Sequence, residues 1–182
     1  MLHNYPMSFQ RSKKHWDEAA LYEYAIGALG RRMRSVAELK RLMRQRVGPG
    51  EYEEALVELV IARLKQEKYL NDANYAASYS QFRRENEKFG KRRVITDLKA
   101  RGVHGDVIEK AVAEAYEGSN EEGLARAYLK RKRLRKPANE KEAARIFRSL
   151  ARAGFGPRVI ITILKRWDVD EEVLTALEEE PL

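Results

Sequence analysis

The stretch LKARGVHGDVIEKAV, residues 98–112, runs from a charged amphipathic segment through a Gly-rich turn into a second one. Two related stretches, LMRQRVGPGEYEEAL at 42–56 and LARAGFGPRVIITIL at 150–164, superimpose on it without a gap. Leu42, Leu98 and Leu150 share one column, and Val47, Val103 and Phe155 share the column five places on. Tyr52, Ile108 and Ile160 follow, and then Leu56, Val112 and Leu164. Apolar residues recurring at offsets of 56 and 52 residues mark an internal repeat.

Within each copy the apolar spacing is helical. Tyr52, Ala55, Leu56, Leu59 and Val60 fall at i, i+3, i+4, i+7 and i+8. Ile108, Ala111, Val112, Ala115 and Tyr116 repeat that register, as do Ile160, Ile163, Leu164 and Trp167. One buried stripe on an amphipathic helix is predicted three times. A shorter helix precedes each, with Leu39/Leu42, Ile95/Leu98 and Phe147/Leu150 inward. Gly102 and Gly154 suit the left-handed residue that closes a helix, while Arg46 leaves Gly48 or Gly50 to close the first. Pro157 fits the first turn of the following helix, and Asp106 is expected to accept from free N–H groups at the start of its own. A further helix opens each copy, over 17–30, 72–87 and 120–133. The patterns Ser35-x-x-Glu38 and Ser119-x-x-Glu122 read as capping boxes, and Asn71 or Asp72 starts the helix at 72.

The expected fold is all-α: three tandem three-helix repeats stacked into an elongated, curved helical body. Units are predicted at 17–70, 71–118 and 119–167, between an N-terminal extension (1–16) and an acidic C-terminal tail (168–182). A unit of this size barely buries its own apolar face, so neighbours must stack. No cysteine is present, which excludes disulfides and thiolate metal sites. No apolar run is long enough for a signal peptide or a membrane span, and a soluble, cytoplasmic monomer is expected.

The 182 residues carry a formal net charge of +8. The last fifteen residues hold seven acids and no Lys or Arg, which leaves +15 on residues 1–167. Such a body attracts polyanions. The cations cluster near the ends of the first helices: Arg31, Arg32 and Arg34; Arg83 and Arg84 with Lys91, Arg92 and Arg93; and the run LKRKRLRK (129–136), with Lys130, Arg131, Lys132 and Arg133. A single such residue is ordinarily solvated helix surface. Three clusters at related repeat positions point instead to a stripe that meets phosphates, or an acidic protein face, without reading sequence. Tyr75, Tyr79, Phe82 and Tyr128 interleave with these clusters, but their helical spacing reads first as core packing. No phosphate-binding loop, HExxH or nucleophile elbow occurs, so no catalytic residue, metal site or cofactor is assigned.

Two longer segments, AIGALGRRMRSVAELKRLM (25–43) and EKYLNDANYAASYSQFRRENEKFGKRRVITDLKARGV (67–103), resemble the RecX family of recombination regulators. Arg32, Arg34, Ser35, Glu38, Leu39 and Leu42 meet the first part of the family pattern. Tyr69, Leu70, Asp72, Tyr75 and Ala76 meet the second; Gly90, Arg93, Val94 or Ile95, Asp97, Leu98, Arg101, Gly102 and Val103 meet the third. Lys68, Asn71 and Asn74 depart from it, and Arg101 stands where the pattern has Lys; Asn74 affects only a local ion pair. The resemblance implies a non-enzymatic regulator that binds the RecA recombinase, mainly its filament on single-stranded DNA. It further implies inhibition of RecA ATP hydrolysis, strand exchange and coprotease activity, modulating recombination and the SOS response, with DNA as a further partner. The alternative is a sequence-independent nucleic-acid-binding helical repeat.

Overall fold

The computed structural model describes residues 15–179. The expected N-terminal extension lies almost wholly outside them. Ten α-helices and one π-helical turn make up the described chain, with no strand among the described residues. They are α1 (Glu18–Arg31), α2 (Val36–Val47), α3 (Glu51–Gln66), α4 (Asp72–Phe82), the π-turn Arg83–Glu87, α5 (Lys91–Ala100), α6 (Gly105–Ala115), α7 (Glu121–Arg131), α8 (Glu140–Arg152), α9 (Pro157–Lys165) and α10 (Glu171–Glu179). The protein is an all-α helical repeat.

Three cores follow one another along the chain. Leu21, Ala25 and Ala28 of α1 meet Leu39 and Met43 of α2 and Leu56, Val57, Val60, Ile61 and Leu64 of α3. Tyr75 and Ala76 of α4 meet Val94 and Leu98 of α5 and Ile108, Ala111 and Val112 of α6. The third core joins α7, α8, α9 and α10 through Leu129, Ile146, Phe147, Leu150, Ile160, Leu164, Leu174 and Leu177. Phe89 and Leu124 pack against both the second and the third core, whereas among the described residues the first shares no side chain with either.

The second and third turns are built identically. Val103 N–H donates to Leu98 C=O (3.2 Å) and Gly102 N–H to Lys99 C=O (2.9 Å); Phe155 and Gly154 do the same with Leu150 (3.2 Å) and Ala151 (2.9 Å). Each is a Schellman closure with glycine in the left-handed conformation, at φ 73° and 91°. The first turn has a different shape. Gly48 closes α2 at φ 88°, Pro49 follows, and Gly50 opens α3.

This turn, three residues long against four at each of the other two, rotates α3 relative to the sequence register. Leu56 and Val60 are buried, but Tyr52 (56% exposed) and Leu59 (51%) face solvent, and Val57, Ile61 and Leu64 complete the stripe. In α2, Met43 is buried and Leu42 only partly covered. In α5, Val94 rather than Ile95 lies deep.

Local caps bring further corrections. Ser35 and Glu38 form the expected capping box, and Asn71 caps α4. At α7 the cap is Asn120, which accepts from Gly123 N–H, while the Ser119 hydroxyl turns back to Tyr116 C=O (2.6 Å). Asp106 makes no cap at α6; it lies in the helix's first turn, exposed, 3.6 Å from His104. Part of the expected acidic tail is also a helix. In α10, Val173, Leu174 and Leu177 recur at i, i+1 and i+4, and burial of the two leucines in the third core outweighs the surrounding charge.

Candidate partner-binding surface

The joint between the first and second cores is polar. Ser35, fully buried, donates its hydroxyl to Arg101 C=O (2.6 Å) and accepts from Glu38 N–H (3.1 Å). Glu38, with only 12% of its side chain exposed, accepts from Ser35 N–H (3.2 Å), Arg101 Nη1 (2.6 Å) and Tyr75 Oη (3.3 Å). Val36 N–H donates to Asp72 Oδ1 (2.8 Å) across the same seam. A Cβ on Gly102 would lie 2.5 Å from Ala37 Cβ, so glycine here is required twice, by its positive φ and by the approach of α2. Burial, with the Glu38 carboxylate behind it, pushes the Tyr75 phenol above its ordinary value.

From this joint a ladder of cations and rings crosses the middle of the molecule. The Arg101 guanidinium lies 4.9 Å from the centre of the Tyr79 ring, and Arg83 also lies 4.9 Å from it. Arg83 and Arg93 stand 5.5 Å and 5.9 Å from Phe89. The Phe89 ring is 6.2 Å from that of Tyr128, over which Lys132 sits at 5.9 Å. Asp97 holds the middle together, accepting from Tyr79 Oη (2.9 Å) and pairing with Arg93 (3.0 Å). Arg32 joins the near end through a 3.9 Å contact with Glu38. Cations over aromatic faces are held in place at low entropic cost, yet keep most of their donors free. Among the described residues Arg83 Nε is buried without an acceptor, which costs about 1–3 kcal/mol.

The structure distributes the sequence-predicted cations unevenly. Arg32, Arg83, Arg93 and Lys132 belong to the ladder. Arg34 is committed elsewhere, its Nε donating to Ala28 C=O (3.3 Å) at the end of α1. Arg84 donates to Ala115 C=O at the end of α6 and pairs with Glu85 (2.9 Å). Arg131 pairs with Glu87 of the π-turn (2.9 Å), and Lys91 lies 6.0 Å from the Tyr116 ring. Among the described residues, Arg31, Arg92, Lys130 and Arg133 are exposed and make no ion pair. The clusters therefore include structural arginines as well as available ones.

The sequence reading did not single out Arg101 or Met33 as candidates. With Arg32, Tyr75, Ser78, Tyr79, Phe82 and Arg83 they line a groove of 530 Å³ beside the ladder. Arg101 was visible only as a motif position, and Met33 interrupts a basic cluster. The aromatic residues divide: Tyr75 and Tyr128 are buried, as core spacing suggests, whereas Phe82 is 54% exposed. The π-turn after Phe82 carries Arg83 and Arg84, whose side chains reach the Tyr79 ring and the end of α6 respectively.

On the other side of the second core the backbones touch. Gly90 N–H donates to Ala153 C=O (2.8 Å), and a Cβ on Gly90 would lie 2.3 Å from Gly154 oxygen. Tyr116 Oη donates to Phe89 C=O (2.7 Å), and burial pushes that phenol well above its ordinary value. Among the described residues no His/Cys/Asp/Glu group could hold a metal ion, and no helix is long and apolar enough to cross a membrane.

Comparison with known proteins matches this arrangement to one family. Residues 71–112 fit the model of the second three-helix domain of RecX. A regulatory protein RecX from Pseudomonas putida (strain W619) is 30% identical over 153 residues, covering 84% of this chain and 94% of that protein. One from Geobacillus thermodenitrificans (strain NG80-2) is 29% identical over 147 residues, but the chain spans only about half of it, 52%. The crystal structure of RecX from Lactobacillus salivarius superimposes with a TM-score of 0.65 at 20% identity, over 83% of this chain and 96% of that one, and so shares its fold. The chain belongs to the RecX family of regulatory proteins.

Proposed function

We propose that the protein binds the RecA nucleoprotein filament on single-stranded DNA and inhibits its ATP hydrolysis, strand exchange and coprotease activity, with no chemistry of its own. The observation that carries this reading is the cation–aromatic ladder. It starts at residues of the family pattern, Arg32, Glu38 and Arg101, and continues through Tyr79, Arg83, Phe89 and Arg93 to Tyr128 and Lys132. A positive track spanning successive units of a repeat suits an extended, repeating, acidic partner better than a small molecule. Titration into a RecA ATPase assay with excess single-stranded DNA tests it. Saturable inhibition is expected, weakened about 10-fold by combined Arg32→Ala and Arg93→Ala. Absence of any effect on the ATPase overturns the reading.

The second reading, a sequence-independent nucleic-acid binder, draws on the unpaired cations Arg31, Arg92, Lys130 and Arg133. It is favoured if naked single-stranded DNA binds as tightly as the filament. Each phosphate contact then contributes about 0.7–0.9 to the log–log slope of affinity against salt.

A further inference from the structure

The groove beside the ladder combines features that a core or a solvated surface would not keep together. Met33 and Phe82, 56% and 54% exposed, are among the few large apolar side chains left open to solvent among the described residues, and both line it. Arg32, Arg83 and Arg101 line it too, and no acidic side chain does among the described residues. Glu38 beneath the floor takes up part of the Arg101 charge through Nη1, but a guanidinium has four further donors.

We propose that this groove is a docking site for an acidic segment of a partner protein that carries a bulky apolar side chain. Its carboxylates pair with Arg32, Arg83 and Arg101, and its apolar group seats between Met33 and Phe82. Charge complementarity selects the acidic segment, and the open apolar pair selects the anchor. A nucleic-acid strand fits less well. The Tyr79 ring is already covered by Arg83 and Arg101 at 4.9 Å each, and Met33 has no π-face, so Phe82 is the one exposed ring lining the groove. The inference deepens the filament-binding reading and rests on it for treating this face as the partner surface.

The test is fluorescence anisotropy with the full chain and a labelled peptide of alternating Asp and Glu around one central Trp. Saturable binding is expected. Replacing the Trp by Ala, or the acids by their amides, should weaken it about 10-fold, as should Phe82→Ser in the protein. Phe82 is half-exposed, so that variant should keep its helical circular dichroism; Met33→Ser provides a second, independent site. No binding up to millimolar peptide, or binding indifferent to both variants, overturns the proposal. A thymidine oligonucleotide that binds more tightly than the peptide and is weakened by the same variants overturns it in favour of nucleic acid. Peptide binding without any effect on RecA would sink the filament reading alone, and RecA inhibition insensitive to Phe82→Ser would sink the groove alone.

Discussion

Glu38 illustrates how one carboxylate organises two units. It completes the cap of α2 within its own unit and receives Arg101 and Tyr75 from the next. Removing one partner of a poorly solvated pair leaves the other uncompensated, and a cap contributes about 1 kcal/mol. Glu38→Ala is therefore expected to destabilise by about 3–5 kcal/mol in urea unfolding. A cycle with Arg101→Ala should show coupling of about 0.5–3 kcal/mol, and none if the seam is open in solution. Tyr116 offers a pH test. Its phenol is raised in the fold, so its stabilisation is complete below the unfolded value of about 10 and lost as pH rises beyond it. Tyr116→Phe loses the bond to Phe89 C=O, about 1 kcal/mol, at neutral pH. The gap between wild type and variant should shrink in thermal melts above about pH 10. Arg84 and Arg92, members of the same basic cluster, should also separate. Arg84→Ala orphans Ala115 C=O and costs about 1–3 kcal/mol, whereas Arg92→Ala stays within about 0.5.

At the scale of elements, helical periodicity was legible because the three copies write it with the same spacing. Leu98 is fully buried, and Leu98→Ala should cost about 2–5 kcal/mol in chemical denaturation. Tyr52→Ser and Leu59→Ser should cost less than about 0.5 kcal/mol, which would establish the rotation of α3 in solution. That rotation was not legible, since Tyr52 and Leu59 occupy faultless helical positions. Which side of an amphipathic helix is buried is settled by the turn that delivers it, and Gly48-Pro49-Gly50 delivers α3 differently from a single-glycine Schellman closure. Ser119 and Asp106 failed as caps for a related reason. Asn120 stands beside Ser119 and takes the cap of α7, whereas α6 starts at Gly105, so Asp106 falls inside the first turn; sequence alone does not fix a helix start to one residue.

For the whole molecule, the two joints differ in kind. The polar seam between the first and second cores is made by Ser35, Glu38, Asp72, Tyr75 and Arg101, whereas Phe89 and Leu124 serve the second and third cores together. Apolar side chains shared by two cores couple units more strongly than a seam made of a few polar contacts. Hydrogen exchange should accordingly show α1–α3 opening separately from α4–α10, and uniform protection across the seam would contradict this. Gly154→Ala places a Cβ 2.3 Å from Arg93 nitrogen in a left-handed backbone, and is expected to loosen α7–α10 from α4–α6 in the same measurement.

By itself the sequence determined that the chain is helical, that it repeats, and which family its motif residues join. Periodicity and turn chemistry are local, and they survive being read along a line. Where the charges go was decided only by tertiary structure. Arg83 and Arg84 are adjacent in sequence, yet one lies over an aromatic ring and the other caps a distant helix. Arg101, carried only as a motif position, became the pivot of a joint. An arginine reaches several ångströms from its backbone, so its role follows from whichever carbonyls, carboxylates and rings the packed helices bring within that reach.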